Sequence, residues 1–260
     1  MTANSGIGFE LAAQLLASQS NTVLLCSRSR DKGDDAVRNL KARGLAGSLD
    51  LVILDVAEEA SIYAAAKHVE EKHGRLDHLV NNAGIAAPRD VSVFEGLDKS
   101  FRVHVMGPAA MVEAFAPLLQ KDPDSNPRDN NTTTTTTTTT ATECRTPRVI
   151  NVTSGAGSIA LRAASPPGTV HYRPGIGPYC VSKAAMNMLT ACQAADYGPL
   201  GWKVFAFNPG FTASNLSEIN RVEHGAQPTS VAAAAMVDIL EGKRDGEHGG
   251  FLNVEGQEVW

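Results

Sequence analysis

The sequence has no excess of positive charge. Its formal net charge is −5 over 260 residues, so no basic field points to nucleic acid or to an anionic membrane surface. Its four cysteines, Cys26, Cys144, Cys180 and Cys192, show no CxxC or other metal-like spacing. Reduced thiols in a cytoplasmic protein without a metal site are the expectation. No apolar run reaches the roughly 20 residues needed to span a bilayer, so no membrane partner is expected. No basic-then-apolar leader precedes the fold, which argues against secretion.

What is present is ordinary for a globular protein with a full core: 43% of residues are hydrophobic and 20% charged. Short, continuous apolar runs stand at 22–26 (TVLLC), 51–54 (LVIL), 79–80, 149–152 and 204–207, with a weaker one at 250–254. Unbroken rather than alternating apolar runs predict strands covered on both faces. Between them lie helical patterns. Ile7, Leu11 and Leu15 form one, Ala36, Val37 and Leu40 a second before Gly44, and Ile62, Ala66 and Val69 a third before Gly74. Val181, Ala185, Met188 and Cys192 are expected to line one helix face before Gly198. Thr229 or Ser230 is expected to cap an alanine-rich helix running to Leu240. Repeated βα units predict an α/β fold, a doubly wound parallel sheet in one domain over residues 1–260. Residues 121–147 break the rhythm with a threonine-rich, proline-interrupted insert. Such a segment buries too little apolar surface to offset its ordering entropy. It is expected to be a disordered loop at the end of the sheet away from any ligand.

The sharpest chemical signal is Tyr179-Cys180-Val181-Ser182-Lys183. A Tyr and a Lys four apart share a helix face, and a nearby ammonium lowers a phenol pKa toward working pH. Alone the pair is weak, because surface Tyr–Lys pairs are common. It gains weight from Ser154, which ends the strand RVINVTS and could bind a carbonyl oxygen in the same cleft. Tyr172 competes, but position 176 is Ile, not Lys.

With these residues in hand, the chain resembles the short-chain dehydrogenase/reductase family, close to its carbonyl-reductase-like branch. The resemblance rests on six motifs in order: ANSGIG at 3–8, LDV at 54–56, NNAG at 81–84, Ser154, YCVSK at 179–183 and NPG at 208–210. It implies a Rossmann-like fold and an oxidoreductase that interconverts a ketone or aldehyde and an alcohol. It implies that Tyr179 exchanges the proton, that Lys183 tunes it and holds the nicotinamide ribose, and that Ser154 holds the substrate oxygen. It further implies cofactor contacts from Gly6, Ile7 and Gly8 to phosphate, from Asp55 to adenine with Val56 stacking nearby, from Asn82 to the adenine ribose, and from Thr212 and Ser214 to carboxamide or phosphate. Tyr179 and Lys183 join these contacts. Arg28, helped by Ser27 or Arg30, stands where an acidic residue would favour NAD, so the expected cofactor is NADP(H). Self-association into a homo-oligomer is left open.

Two departures from the family pattern stand out. Where the family carries Asn in NVxG, in a water relay to the lysine, this chain reads His104-Val105-Met106-Gly107. The relay either survives in altered form or is lost. The remaining histidines are scattered, as solvated or packing residues are. Aligned to the family's TGxxxGIG, Met1 stands at Thr and Thr2 at the first Gly, so the resemblance leads to the expectation that the first, central β-strand is missing at the amino terminus. Two accounts fit: a biological start elsewhere, or a damaged copy. The second carries an alternative function, a catalytically inactive relative unable to bind cofactor. A non-redox cousin such as an epimerase is disfavoured by the Gly6–Gly8 spacing.

The substrate is expected to be small and neutral, an aromatic, polyketide-like or other secondary-metabolite carbonyl compound. One wall is expected from the stretch RAASPPGTVHYRPGIGP between Ser154 and Tyr179, where Arg162 and Arg173 are the only anion clamps in view. The other wall, and a small lid, are expected from residues 211–225.

Overall fold

The computed structural model describes residues 5–121, 146–167 and 175–260. Most of the threonine-rich insert, Cys144, Tyr172 and Arg173 lie outside the described residues, as do the expectations that fall on them. Among the described residues, strands and helices alternate as βα units. In chain order the main ones are α1 (Gly6–Leu15), β1 (Thr22–Ser27), α2 (Arg30–Lys41), β2 (Ser48–Ile53), α3 (Glu59–His73), β3 (His78–Asn81), α4 (Val93–Phe101) and α5 (Gly107–Leu119). Then follow β4 (Arg148–Val152), the short α6 (Ile159–Ala163), α7 (Gly177–Tyr197), β5 (Lys203–Phe207), α8 (Thr229–Leu240) and β6 (Phe251–Leu252). Among the described residues, the pairs between these strands are all parallel.

The apolar runs form strands because both faces of each are covered. Along β4 and β5, successive side chains point to opposite sides. Val149 and Val204 enter a core beneath α3 and α5 with Ile62, Val69 and Phe115. Ile150, Phe205 and Phe207 enter a second core beneath α1 and α8 with Leu11, Met236 and Ile239. Each such side chain contributes roughly 1.5–3 kcal/mol by leaving water. α3 stops at Gly74, whose φ of 74° supplies the left-handed turn that ends the helix. The α8 cap differs from expectation. Pro228 precedes the helix and Thr229 and Ser230 lie in its first turn, because proline's fixed φ already sets the entry.

The α7 face also differs. Val181 is 50% and Met188 66% exposed, and Cys192 is exposed. The buried face carries Ser182, Lys183, Met186, Asn187, Thr190 and Gln193. Its partners are polar. Asn81 donates to Asn151 across β3 and β4 at 2.8 Å, and Asn151 donates to Thr190 at 3.0 Å and to Gln193 at 2.8 Å. A hydrophobicity pattern cannot find a face held by hydrogen bonds.

The sheet is in two parts. β1 and β2 form one, and β3-β4-β5-β6 the other. Between the facing edges of β1 and β3 lies a cavity of about 450 Å³, lined by Val23, Leu25, Leu79, Leu11 and Met111 among others. Among the described residues no helix is long and apolar enough to cross a membrane.

Candidate active site

The carboxyl ends of the strands open onto one cleft of about 1340 Å³. Ligands in open parallel sheets gather at this end. β1 delivers Ser27 and Arg28 to the cleft, β3 delivers Asn82, β4 delivers Ser154, and the turn after β5 delivers Asn208, Gly210, Thr212 and Ser214.

The catalytic trio expected from sequence meets here. Tyr179 stands in the first turn of α7, and Lys183 lies one turn further on. Ser154 follows β4 in extended backbone and starts a short 3-10 turn, its Oγ accepting the Ala156 N–H at 3.2 Å. The Ser154 hydroxyl is near enough to the Tyr179 phenol to favour its ionised form. All three line the cleft.

Lys183 is only 3% exposed. Its Nζ donates to the Val152 carbonyl at 2.9 Å and lies 3.6 Å from Met186 Sδ. Burial disfavours its charged form and pulls its pKa down from 10.5 to about 7. The same burial pushes the Tyr179 phenol up, opposed by the nearby Ser154 hydroxyl. The expectation that the ammonium lowers the Tyr179 pKa is therefore not met. Desolvation dominates, and Nζ lies 5.9 Å from the phenol ring centre, with one of its protons given to the Val152 carbonyl.

Helix α7 is clamped behind this pair. Thr153 donates to the Lys183 carbonyl at 3.3 Å, and Asn187 donates to the Gly157 carbonyl at 3.3 Å. Gly157 is required for close approach, since a Cβ there would lie 2.6 Å from the Lys183 carbonyl carbon. His104 is fully buried in a π-helical turn, Arg102–Met106, between α4 and α5. Burial first, and then the nearby Lys183 charge, hold its pKa down to about 2.

One end of the cleft is formed by Ser5, Gly6 and Ile7. Gly6 has a φ of 64°, a conformation that favours glycine. Helix α1 begins without a side-chain cap and without an acidic residue in its first turn. Its first N–H groups and its positive dipole end suit an anion. Gly8 and Asp55 are not among the cleft-lining residues, and the Asp55 carboxylate accepts the Ala57 N–H at 3.0 Å. Val56 lines the slot between β1 and β3 instead.

At the end of β1, Arg28 is joined in the cleft by Lys32 and not by Arg30. Sequence reading missed Lys32 because its position depends on how tightly the chain turns into α2. It also missed Glu258, which enters the cleft from the carboxyl-terminal tail and accepts from Asn208 at 2.7 Å. Among the described residues no cluster of three or more His, Cys, Asp or Glu could hold a metal ion.

Comparison with known proteins agrees with this geometry. The family model described as short chain dehydrogenase matches residues 1–126. A short-chain dehydrogenase/reductase of Aspergillus fumigatus is 35% identical, the match covering 94% of this chain and 88% of its own length. The (+)-neomenthol dehydrogenase of Arabidopsis thaliana is 30% identical over 86% of each chain. Among solved structures, an NADPH-bound carbonyl reductase from chicken fatty liver superposes with a TM-score of 0.75 at 30% identity, covering 99% of this chain and 96% of that one. The two-sided parallel sheet, the cleft at its carboxyl edge and these likenesses have one common explanation: the chain belongs to the short-chain dehydrogenase/reductase family, and is an oxidoreductase of that kind.

Proposed function

We propose that this protein is an NADP(H)-dependent reductase that interconverts a small neutral ketone or aldehyde and its alcohol. The observation that carries the reading is the convergence of Ser154, Tyr179 and Lys183 on one cleft, with the Ser154 hydroxyl beside the phenol. When bound, the nicotinamide supplies or accepts the hydride.

The chain's own residues supply the rest. Tyr179 keeps its proton at neutral pH because burial raises its pKa, which suits a donor to a carbonyl oxygen in reduction. Ser154 holds that oxygen as negative charge grows on it. Lys183 stands one helical turn behind the phenol, and its pKa near 7 lets it take up a proton around neutrality. Thr212 and Ser214 face the cleft beside Gly6, whose Cβ position lies 3.5 Å from Ser214.

The residues present fit NADP(H). The uncapped start of α1 offers backbone N–H groups to the pyrophosphate. Arg28 and Lys32 offer two cations to a ribose 2′-phosphate, with no carboxylate in the turn at 27–30. The substrate end is walled by Ile85, Leu161, Ile176, Phe211, Leu216 and Ile219. Apolar walls of this kind favour a neutral, largely hydrocarbon carbonyl compound. The wall from the segment after Gly210 is braced by Arg221, which donates to the Ser214 carbonyl at 2.6 Å.

The test is the Tyr179→Phe variant assayed for NADPH-dependent reduction of a panel of aromatic and alicyclic ketones. Loss of a proton donor predicts a fall of at least about a hundredfold in kcat, with saturable enhancement of NADPH fluorescence retained. Undiminished turnover would remove Tyr179 from the mechanism.

A further inference from the structure

His104 occupies a place that the proposed chemistry does not use, and its surroundings fix its state. Nε2 lies 3.0 Å from the backbone nitrogen of Ile85. An amide N–H can only donate, so Nε2 accepts and carries no proton. The neutral ring therefore holds its proton on Nδ1, which lies 2.8 Å from Ser182 Oγ. The Ser182 hydroxyl in turn donates to the Tyr179 carbonyl at 2.8 Å. The direction of every hydrogen bond follows: Ile85 N–H to imidazole, imidazole to Ser182, Ser182 to the backbone of Tyr179.

Both ring nitrogens are thus spent on protein. Neither is left for a water that would relay a proton to Lys183. The ring is fully buried, and its centre lies 5.5 Å from that of Tyr179 in an edge-on arrangement. The titratable groups facing it are Tyr179 and Lys183, both on α7. A second proton on this ring would oppose the Ile85 N–H directly and would add a buried charge beside the Lys183 ammonium.

We propose that His104 is a positioning residue, a permanently neutral imidazole that ties the cofactor-facing loop at 82–85 to the first turn of the Tyr179 helix. Ile85 and Gly84 line the cleft on one side of the tie, and Tyr179 on the other. The π-helical turn serves this link. It sets the ring between two elements separated from it by 19 and 78 residues in sequence. The loop that meets the cofactor and the helix that carries the phenol then move as one piece. The inference rests on the reading of Tyr179 as the proton-exchanging group.

Two measurements test it. The first is a ¹⁵N NMR titration of the imidazole nitrogens in the full chain, with His104 assigned by comparison with His104→Gln. The expected pattern is a protonated Nδ1 and a bare Nε2, unchanged between about pH 5.5 and about pH 9, since the ring is buried and its donors are fixed. A titration within that range, or the opposite tautomer, overturns the proposal.

The second measurement is steady-state kinetics of His104→Ala and His104→Gln. Freeing the loop is expected to raise the KM for NADPH about tenfold in the alanine variant, the effect of one lost hydrogen bond. Glutamine, whose side-chain carbonyl can still accept from Ile85, recovers most of it. The midpoint of the kcat–pH profile stays where it is in the unaltered protein. A shift of that midpoint by about one unit, with KM unchanged, marks a proton-carrying ring and overturns the proposal. If Tyr179→Phe retains turnover, the functional reading fails while the tautomer result stands on its own.

Discussion

Replacing Arg28 by alanine separates the 2′-phosphate reading from a general weakening of the cleft. Arg28 follows the last residue of β1, in a turn fixed by Ser27, whose Oγ donates to the Ser29 carbonyl at 2.8 Å and accepts the Ser29 N–H at 3.3 Å. The backbone under Arg28 is therefore preformed, while its side chain is exposed to solvent. A hydrogen bond to a charged group is worth about 1.5–3 kcal/mol, and exposure places Arg28 near the lower figure. That converts to about a tenfold rise in the KM for NADPH.

NADH lacks the phosphate, so its KM should change by less than about twofold. Adding Lys32→Ala should cost less than a further tenfold, because two cations sharing one phosphate are not additive. The NADPH effect should also shrink between low salt and about 0.15 M salt, where the Debye length falls to about 8 Å. The assay is initial velocity at fixed ketone with each cofactor varied. Parallel losses with NADPH and NADH, or no loss with either, would refute the assignment of this turn to the 2′-phosphate.

Three further outcomes follow from the geometry. Asn151→Leu leaves the Asn81 amide and the Gln193 carbonyl without their buried partner, and should lower stability by about 2–4 kcal/mol in urea denaturation; a change under about 0.5 kcal/mol would show that the network is not a structural tie. Lys183 has a folded pKa depressed to about 7 from 10.5, so the unfolded chain holds this proton across a range where the folded chain has released it. Its contribution to stability therefore rises with pH through that window and is least below it; Lys183→Met should flatten the rise between about pH 7.5 and about pH 9.5, and identical slopes would refute the burial argument. Gly157→Ala forces a Cβ to within 2.8 Å of the Lys183 carbonyl oxygen, so α7 must shift. Misplacement of about 1 Å should cost about a hundredfold in kcat/KM, and full activity with an unchanged near-ultraviolet spectrum would mean that the close approach is unimportant.

Much of this was legible in sequence where the signal was local. The runs at 149–152 and 204–207 read as strands because both faces are buried, and they are. The Tyr179–Lys183 spacing read as one helix face, and it is. The motif order carried the fold. What was hidden depended on distant partners. The buried face of α7 is polar, and its complement Asn151 lies 42 residues from Gln193. The sequence left open whether His104 keeps an altered relay or loses it, because its two partners lie in separate elements. Lys32 depended on the pitch of the turn into α2. The Tyr179 pKa depended on desolvation, which a residue list does not measure.

The rotation of α7 about its own axis is the step on which the site depends, and magnitudes show why it is the observed one. Turning the helix to bury Val181 and Met188, now 50% and 66% exposed, would recover roughly 1–2 kcal/mol for each. The same turn would break the bonds of Asn151 to Thr190 and Gln193, of Lys183 to Val152, of Ser182 to His104 and of Asn187 to Gly157. Each orphaned buried group costs about 1–3 kcal/mol. Five such losses outweigh two apolar gains, so the polar face stays inward and the apolar stripe stays in solvent. The rotation that satisfies the most buried hydrogen bonds is also the one that aims Tyr179 at Ser154 across the cleft.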